Sequence, residues 1–162
     1  MKYIKALLAI LVLIVLDQYT KVLAVSHLQG NDGITLIPGV FRLYYLENRG
    51  SAFGMMQNQQ IFFIIFTVII LAVIAYIYHK TPVTARMLPA RLVMILLTAG
   101  AIGNLIDRVR QSFVVDFFYF ELIDFPIFNV ADIYVTVSAF LLILLVLFYY
   151  KEEDFAFLGR KR

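Results

Sequence analysis

The chain has 162 residues, of which 62% are hydrophobic and only 15% charged, where a soluble domain carries about a quarter of its residues as charges. That composition excludes an ordinary soluble domain and predicts a membrane protein, at this length a single domain over residues 1–162. A net charge of +3 without a long basic block speaks against nucleic acid as a partner, and the absence of Cys excludes disulfides, thiol nucleophiles and zinc–thiolate centres.

Spanning helices need about 20 predominantly apolar residues, and four segments qualify: about 4–25, 61–78, 90–108 and 131–150. The first begins like a secretory leader, with Lys2 and Lys5 ahead of an apolar run, and Val22-Leu23-Ala24 resembles a cleavage site. Asp17-Gln18-Tyr19-Thr20-Lys21 is nevertheless a polar continuation foreign to a leader, and the three later spans make the chain polytopic in any case. The segment is therefore read as an uncleaved helix.

Basic residues orient the spans. Lys2 and Lys5 precede the first, Lys80, Arg86 and Arg91 lie between the second and third, and Lys151, Arg160, Lys161 and Arg162 follow the fourth. The positive-inside rule puts these segments and both termini in the cytoplasm. The two remaining loops then face outward. The first, a β element over about 30–57, reads as two short strands (34–37 and 40–46) around Pro38-Gly39. In the second, 117–124 carries four aromatics beside Glu121 and Asp124, the composition of a short segment lying in the membrane interface. The predicted architecture is an all-α bundle of four transmembrane helices with an outer β-hairpin and a short outer interfacial helix.

Polar residues inside the spans fall at one depth. Counting from the cytoplasmic lysines and arginines at about 1.5 Å per residue, Asp17 lies about 18 Å up the first span. Asn104 and Asp107 lie about 20 and 24 Å up the third, and Asp132 about 28 Å up the fourth. Against a hydrocarbon core of about 30 Å, all belong to the outer half. Ionisable groups at membrane depth are costly and usually face a bundle interior or a water-filled cavity.

Plain structural roles exist for each group. Asp17 and Lys21 form an i, i+4 pair that could satisfy itself. Asp107 has Arg108 and Arg110 beside it, and Asp132 suits the first turn of its helix, with Asn129 as N-cap. None of these roles explains Asp116, set among Val114, Val115 and Phe117 just past the same helix ends. Two carboxylates brought together repel and share a proton near neutrality; one can then take a proton from water while the other polarises a carbonyl. Asp116 and Asp132 are the candidates for such an aspartic-peptidase pair. Ala99-Gly100-Ala101-Ile102-Gly103 gives the third span a small-residue face for close packing. A transporter or channel would need polar groups through the full depth, yet residues 6–16 and 140–150 are apolar; a structural scaffold gives no reason for Asp116.

Five motifs occur in order: Asp17-Gln18-Tyr19-Thr20-Lys21, Asn48-Arg49-Gly50-Ser51-Ala52-Phe53-Gly54, Gly100-Ala101-Ile102-Gly103-Asn104-Leu105-Ile106-Asp107-Arg108, Val114-Val115-Asp116-Phe117 and Phe128-Asn129-Val130-Ala131-Asp132. In these the chain resembles the bacterial lipoprotein signal peptidases (signal peptidase II), over nearly its whole length; Ser51, where the family often has Ala, is a small departure. The resemblance implies a membrane aspartic endopeptidase of the bacterial cytoplasmic membrane, with its active site near the outer face. Such an enzyme cleaves diacylglyceryl-modified prolipoproteins just before the lipidated cysteine. It further implies Asp116 and Asp132 as the catalytic pair, and Asn48, Asn104, Arg108 and Asn129 as substrate-site residues. Asp17, Lys21, Gly50, Gly103 and Asp107 would be supporting residues. The two histidines, His27 and His79, have no neighbour at metal-ligand spacing, so no metal or cofactor is expected, and the chain is expected to be a monomer among membrane lipids. The resemblance also implies an outer β-cradle with an extracytoplasmic helix that clamp the substrate.

Overall fold

A computed structural model describes residues 2–50 and 58–159. The expectations for 51–57, which include Ser51 and the end of the outer β element, and for Arg160, Lys161 and Arg162 lie outside these residues.

Four helices are long and apolar enough to cross a membrane. They are α1 (Lys2–Leu28), α2 (Gln60–Lys80), α3 (Leu88–Gln111) and α4 (Val130–Leu144). Helix α4 continues into a wider π-type turn over Leu145–Tyr149, closed by Tyr150 N–H donating to Leu145 O at 2.8 Å. The helix α3 packs against the other three. Their lysine- and arginine-rich ends are tied together. Tyr3 Oη lies 2.9 Å from His79 Nδ1, Arg91 donates to Tyr78 Oη at 2.5 Å, and Ala90 N–H donates to Tyr150 Oη at 3.1 Å. Arg86 lies over the Tyr149 ring and pairs with Asp154 at 2.8 Å, which fastens the C-terminal 3₁₀ segment Glu152–Leu158 to the same end.

At the opposite end lies a three-stranded antiparallel sheet, β1 (Ile34–Ile37), β2 (Phe41–Asn48) and β3 (Val114–Tyr119), in that spatial order. The β1–β2 hairpin follows from its turn: Val40 N–H donates to Ile37 O at 3.0 Å, Pro38 presets the first central residue and Gly39 supplies φ 69° at the second. The strand β3 departs from the expectation of an interfacial segment over 117–124. Val114–Tyr119 instead pairs with β2, placing Leu46 opposite Asp116 and Asn48 opposite Val114. A β-branched and aromatic run satisfies its backbone by joining an existing strand, which only the tertiary arrangement offers. What remains of the interfacial helix is one 3₁₀ turn, Glu121–Ile123, with Leu122 and Ile123 projecting outward.

The sheet rests on the C-terminal end of α1. Ala24 and Leu28 form a small buried core with Val115 and Phe117, so one face of β3 is fixed to the bundle. Burying these side chains anchors the strand that carries Asp116.

Candidate active site

Helix α4 begins where the polar groups meet. Asn129 is its N-cap: Asn129 Oδ1 accepts from Asp132 N–H at 2.9 Å, and Asp132 Oδ2 accepts from Asn129 N–H at 3.1 Å. This reciprocal capping box satisfies two donors that a helix N-terminus leaves unpaired. Asp17 of α1, wholly buried, accepts a third from Ala131 N–H at 2.9 Å. Ala131 is wholly buried, out of reach of solvent, so a carboxylate from a neighbouring helix accepts this donor instead. The close approach depends on the glycines. A Cβ at Gly103 would lie 2.5 Å from Asp17 Oδ2, and one at Gly100 would lie 2.5 Å from Ala131 O.

The cap is also the hinge between the two candidate acids. Asn129 Nδ2 donates to Asp116 Oδ1 at 2.6 Å, while its own backbone N–H holds Asp132. Asn48 Nδ2 donates to the other Asp116 oxygen at 2.8 Å, and Asn104 Nδ2 donates to Asp132 Oδ1 at 2.7 Å. Gly50 N–H donates to Asn48 Oδ1 at 3.0 Å. Because a backbone N–H has no acceptor to offer, it fixes the oxygen end of Asn48 toward itself and the nitrogen end toward Asp116. Asp132 N–H fixes Asn129 in the same way.

Asp116 is 1% exposed. Burial pushes its carboxyl up to about 7 from 3.8; the neighbouring Asp132 charge adds to the rise, while Asn48, Asn129 and Lys21 oppose it. A carboxyl that holds its proton near neutral pH beside a second carboxyl is equipped for acid–base work.

Behind the acids sits an ion cluster. Lys21 Nζ lies 3.0 Å from Asp17 and 3.0 Å from Asp107, and donates to Asn104 Oδ1 at 2.9 Å. The Asp17–Lys21 pair is therefore shared with α3, and Asp107 turns to Lys21 rather than to its neighbours Arg108 or Arg110. Asp107 also accepts from Val115 N–H at 3.2 Å, bracing β3. Gln18, which the sequence reading passed over, donates to Asp17, Gly103 O and Asp107 at 3.2, 3.2 and 3.0 Å. Its signal was an amide inside an apolar span, next to an acid. Phe63 of α2 was also missed: the Arg108 guanidinium lies over its ring, with the carbon 4.9 Å from the centroid. Nothing in an apolar helix distinguishes that one ring by sequence.

Both acids open onto a groove of about 1080 Å³ between the sheet and α4. Asn48, Gly50, Asn104 and Arg108 border it, and Ile133 and Val137 carry it along an exposed apolar side of α4. Asn104 and Arg108, one turn apart on α3, face the groove; Gly100, Gly103 and Asp107 face away from it, toward α1 and α4. The structure thus joins Asp116, Asp132, Asn48, Asn104 and Asn129 in one hydrogen-bonded network through Asn129, places Arg108 and Gly50 on the groove wall, and sets Asp17, Lys21, Gly103 and Asp107 behind.

Four helices long and apolar enough to cross a membrane, with two carboxylates on one groove beside a small sheet, form a membrane bundle with a polar site at one end. Comparison with known proteins specifies it. The family model described as signal peptidase (SPase) II matches residues 9–148. The lipoprotein signal peptidase of Streptococcus thermophilus is 47% identical over 146 residues, 90% of this chain and 92% of that protein. That of Streptococcus pyogenes serotype M5 is 40% identical over 148 residues, covering 91% and 94%. A bacterial membrane enzyme solved by the in meso method at 2.3 Å superposes with a TM-score of 0.79 at 31% identity, covering 98% of this chain and 93% of that one. A second such enzyme, solved at 1.9 Å, gives 0.77 at 32% identity and covers 90% and 94%. The chain belongs to the signal peptidase II family of multi-pass bacterial membrane proteases.

Proposed function

We propose that this protein removes the signal peptide from diacylglyceryl-modified prolipoproteins by cutting just before the lipidated cysteine, and that Asp116 and Asp132 are its catalytic aspartates. The observation that carries this reading is the Asn129 hinge, which holds one carboxylate through its side chain and the other through its backbone at the wall of one groove. The whole chain acts as one peptidase unit, a monomer with both termini in the cytoplasm and its groove in the outer half of the membrane.

With one proton shared by the pair, the ionised carboxylate accepts a proton from water as the water oxygen attacks the scissile carbonyl carbon. The protonated carboxyl donates its proton to the carbonyl oxygen, giving a neutral tetrahedral diol. Collapse breaks the C–N bond: the carboxyl that took the proton from water gives it to the cysteine nitrogen, and a diol hydroxyl gives its proton to the other carboxylate, which restores the singly protonated pair. The products are a signal-peptide carboxyl and a free amine on the lipidated cysteine. Arg108, with an unpartnered Nε beside the groove, and Asn48 hold the peptide, while the acyl chains lie along Ile133 and Val137 in the outer leaflet.

The decisive experiment incubates purified protein in lipid or detergent with a diacylglyceryl-modified prolipoprotein, beside Asp116→Asn and Asp132→Asn. Mass spectrometry should place the cut before the lipidated cysteine for wild type alone. Cleavage by either folded variant at the wild-type rate would remove that aspartate from the mechanism.

A further inference from the structure

We propose that Lys21 is a positioning residue for the cleavage: its ammonium fixes the amide of Asn104 with the nitrogen toward Asp132. The two ends of an asparagine amide are nearly the same size and can exchange by rotation, so something must select one. An ammonium has three donors and no acceptor. All three are used here, on Asp17 at 3.0 Å, Asp107 at 3.0 Å and Asn104 Oδ1 at 2.9 Å. A lysine serving only to neutralise Asp17 and Asp107 has no need of the third contact. Asn129 Nδ2 donates to the same Asn104 oxygen at 3.1 Å, and the opposite end donates to Asp132 at 2.7 Å. Rotating the amide would set its NH₂ against the ammonium and against Asn129 Nδ2, and would turn an oxygen toward the Asp132 carboxylate.

The two acids that hold Lys21 have their own anchors. Asp17 is tied to the first turn of α4 through Ala131 N–H, and Asp107 to β3 through Val115 N–H. The ammonium is thus referenced to both elements that carry the candidate acids. It is 3% exposed and does not border the groove, so it touches no substrate; its one hydrogen bond to a residue that holds a candidate acid is to Asn104, beside the charge it sets near Asp116. This role presupposes the dyad proposed above.

The test is a steady-state comparison with the lipidated prolipoprotein. Lys21→Met alone leaves two buried acids unpaired and risks misfolding, so the informative pair is Asp107→Asn against the charge-balanced Lys21→Met/Asp107→Asn. These differ only at position 21. Relative to Asp107→Asn, the double variant should lose about ten- to a hundredfold in kcat, the size of one charge-assisted hydrogen bond, with KM little changed. Equal kcat in the two, or a loss confined to KM, would overturn the positioning role. Asp116→Asn and Asp132→Asn run in the same assay separate the two ideas. If both are inactive while the double variant keeps the kcat of Asp107→Asn, the dyad stands and Lys21 is only structural. If either cleaves like wild type, the dyad falls and the role of Lys21 with it.

Discussion

Asp116 costs the fold something to keep. It is buried on a strand, beside a second carboxylate, and its proton is held to about pH 7 because the ionised form is poorly solvated there. The pH dependence of cleavage follows from that sign. Below about 7 the pair retains the proton that the proposed mechanism gives to the carbonyl oxygen; above it that proton is lost, and the proposed general acid with it. Cleavage rate should therefore fall on the alkaline side, through an ionisation near pH 7 visible in a kcat–pH profile. A rate that stays level to strongly alkaline pH would show that no such proton is needed. Arg108 lines the groove with its guanidinium over Phe63, and the role proposed for it is to hold the peptide. Arg108→Lys keeps a charge but loses the planar face that lies over Phe63, and should raise KM more than it lowers kcat.

At the scale of elements, the first turn of α4 and the small face of α3 form one unit. Asn129 caps the helix and also hinges the acids, so its substitutions should separate the two tasks. Asn129→Asp keeps an N-cap oxygen but sets an acceptor in place of the NH₂ against Asp116, Asn104 Oδ1 and Val115 O, and should keep the cap while losing most of the activity and some stability. Asn129→Ala should lose both, the cap alone being worth about 0.5–2 kcal/mol. Equal activity in Asn129→Asp and wild type would show that the donor to Asp116 is dispensable. Gly103→Ala forces a methyl against the Asp17 carboxylate, which is pinned by Lys21 and Ala131 N–H and cannot withdraw. Thermal unfolding should register a loss of about 1–3 kcal/mol, the usual cost of overpacking. Gly39→Ala, by comparison, meets no neighbouring atom and should cost only the strain of its positive φ.

The whole molecule is asymmetric from one membrane face to the other. One end is sewn together by Tyr3, Tyr78, His79, Arg86, Arg91 and Asp154; the other carries the sheet and the groove. Because the chain lacks Cys, single cysteines can report which end is which. Asn31→Cys and Gln111→Cys, both at exposed positions near the sheet, should react with a membrane-impermeant maleimide on intact cells. Lys80→Cys and Glu153→Cys, exposed at the opposite end, should react only after permeabilisation. The reverse pattern would invert the proposed orientation and place the groove on the cytoplasmic side.

The sequence by itself determined the number of spans, because about 20 apolar residues crossing hydrocarbon must be helical to satisfy their own backbone. It also determined the hairpin through Pro38-Gly39, the Asn129–Asp132 cap, and the need for small residues at Gly100 and Gly103, since each of these is a local requirement written within a few positions. Depth counting along helices brought Asp17, Asn104, Asp107 and Asp132 to one level before any fold was known. What only the tertiary structure decided was lateral. That Lys21 turns to Asp107 and Asn104, that Gln18 bridges three acceptors, that Phe63 underlies Arg108, and that Val114–Tyr119 becomes a third strand all depend on which elements lie side by side. A helical or extended period sets which face a residue shares with its own neighbours in sequence, but a contact between Lys21 and Asn104 spans 83 positions and exists only once α1 and α3 have packed.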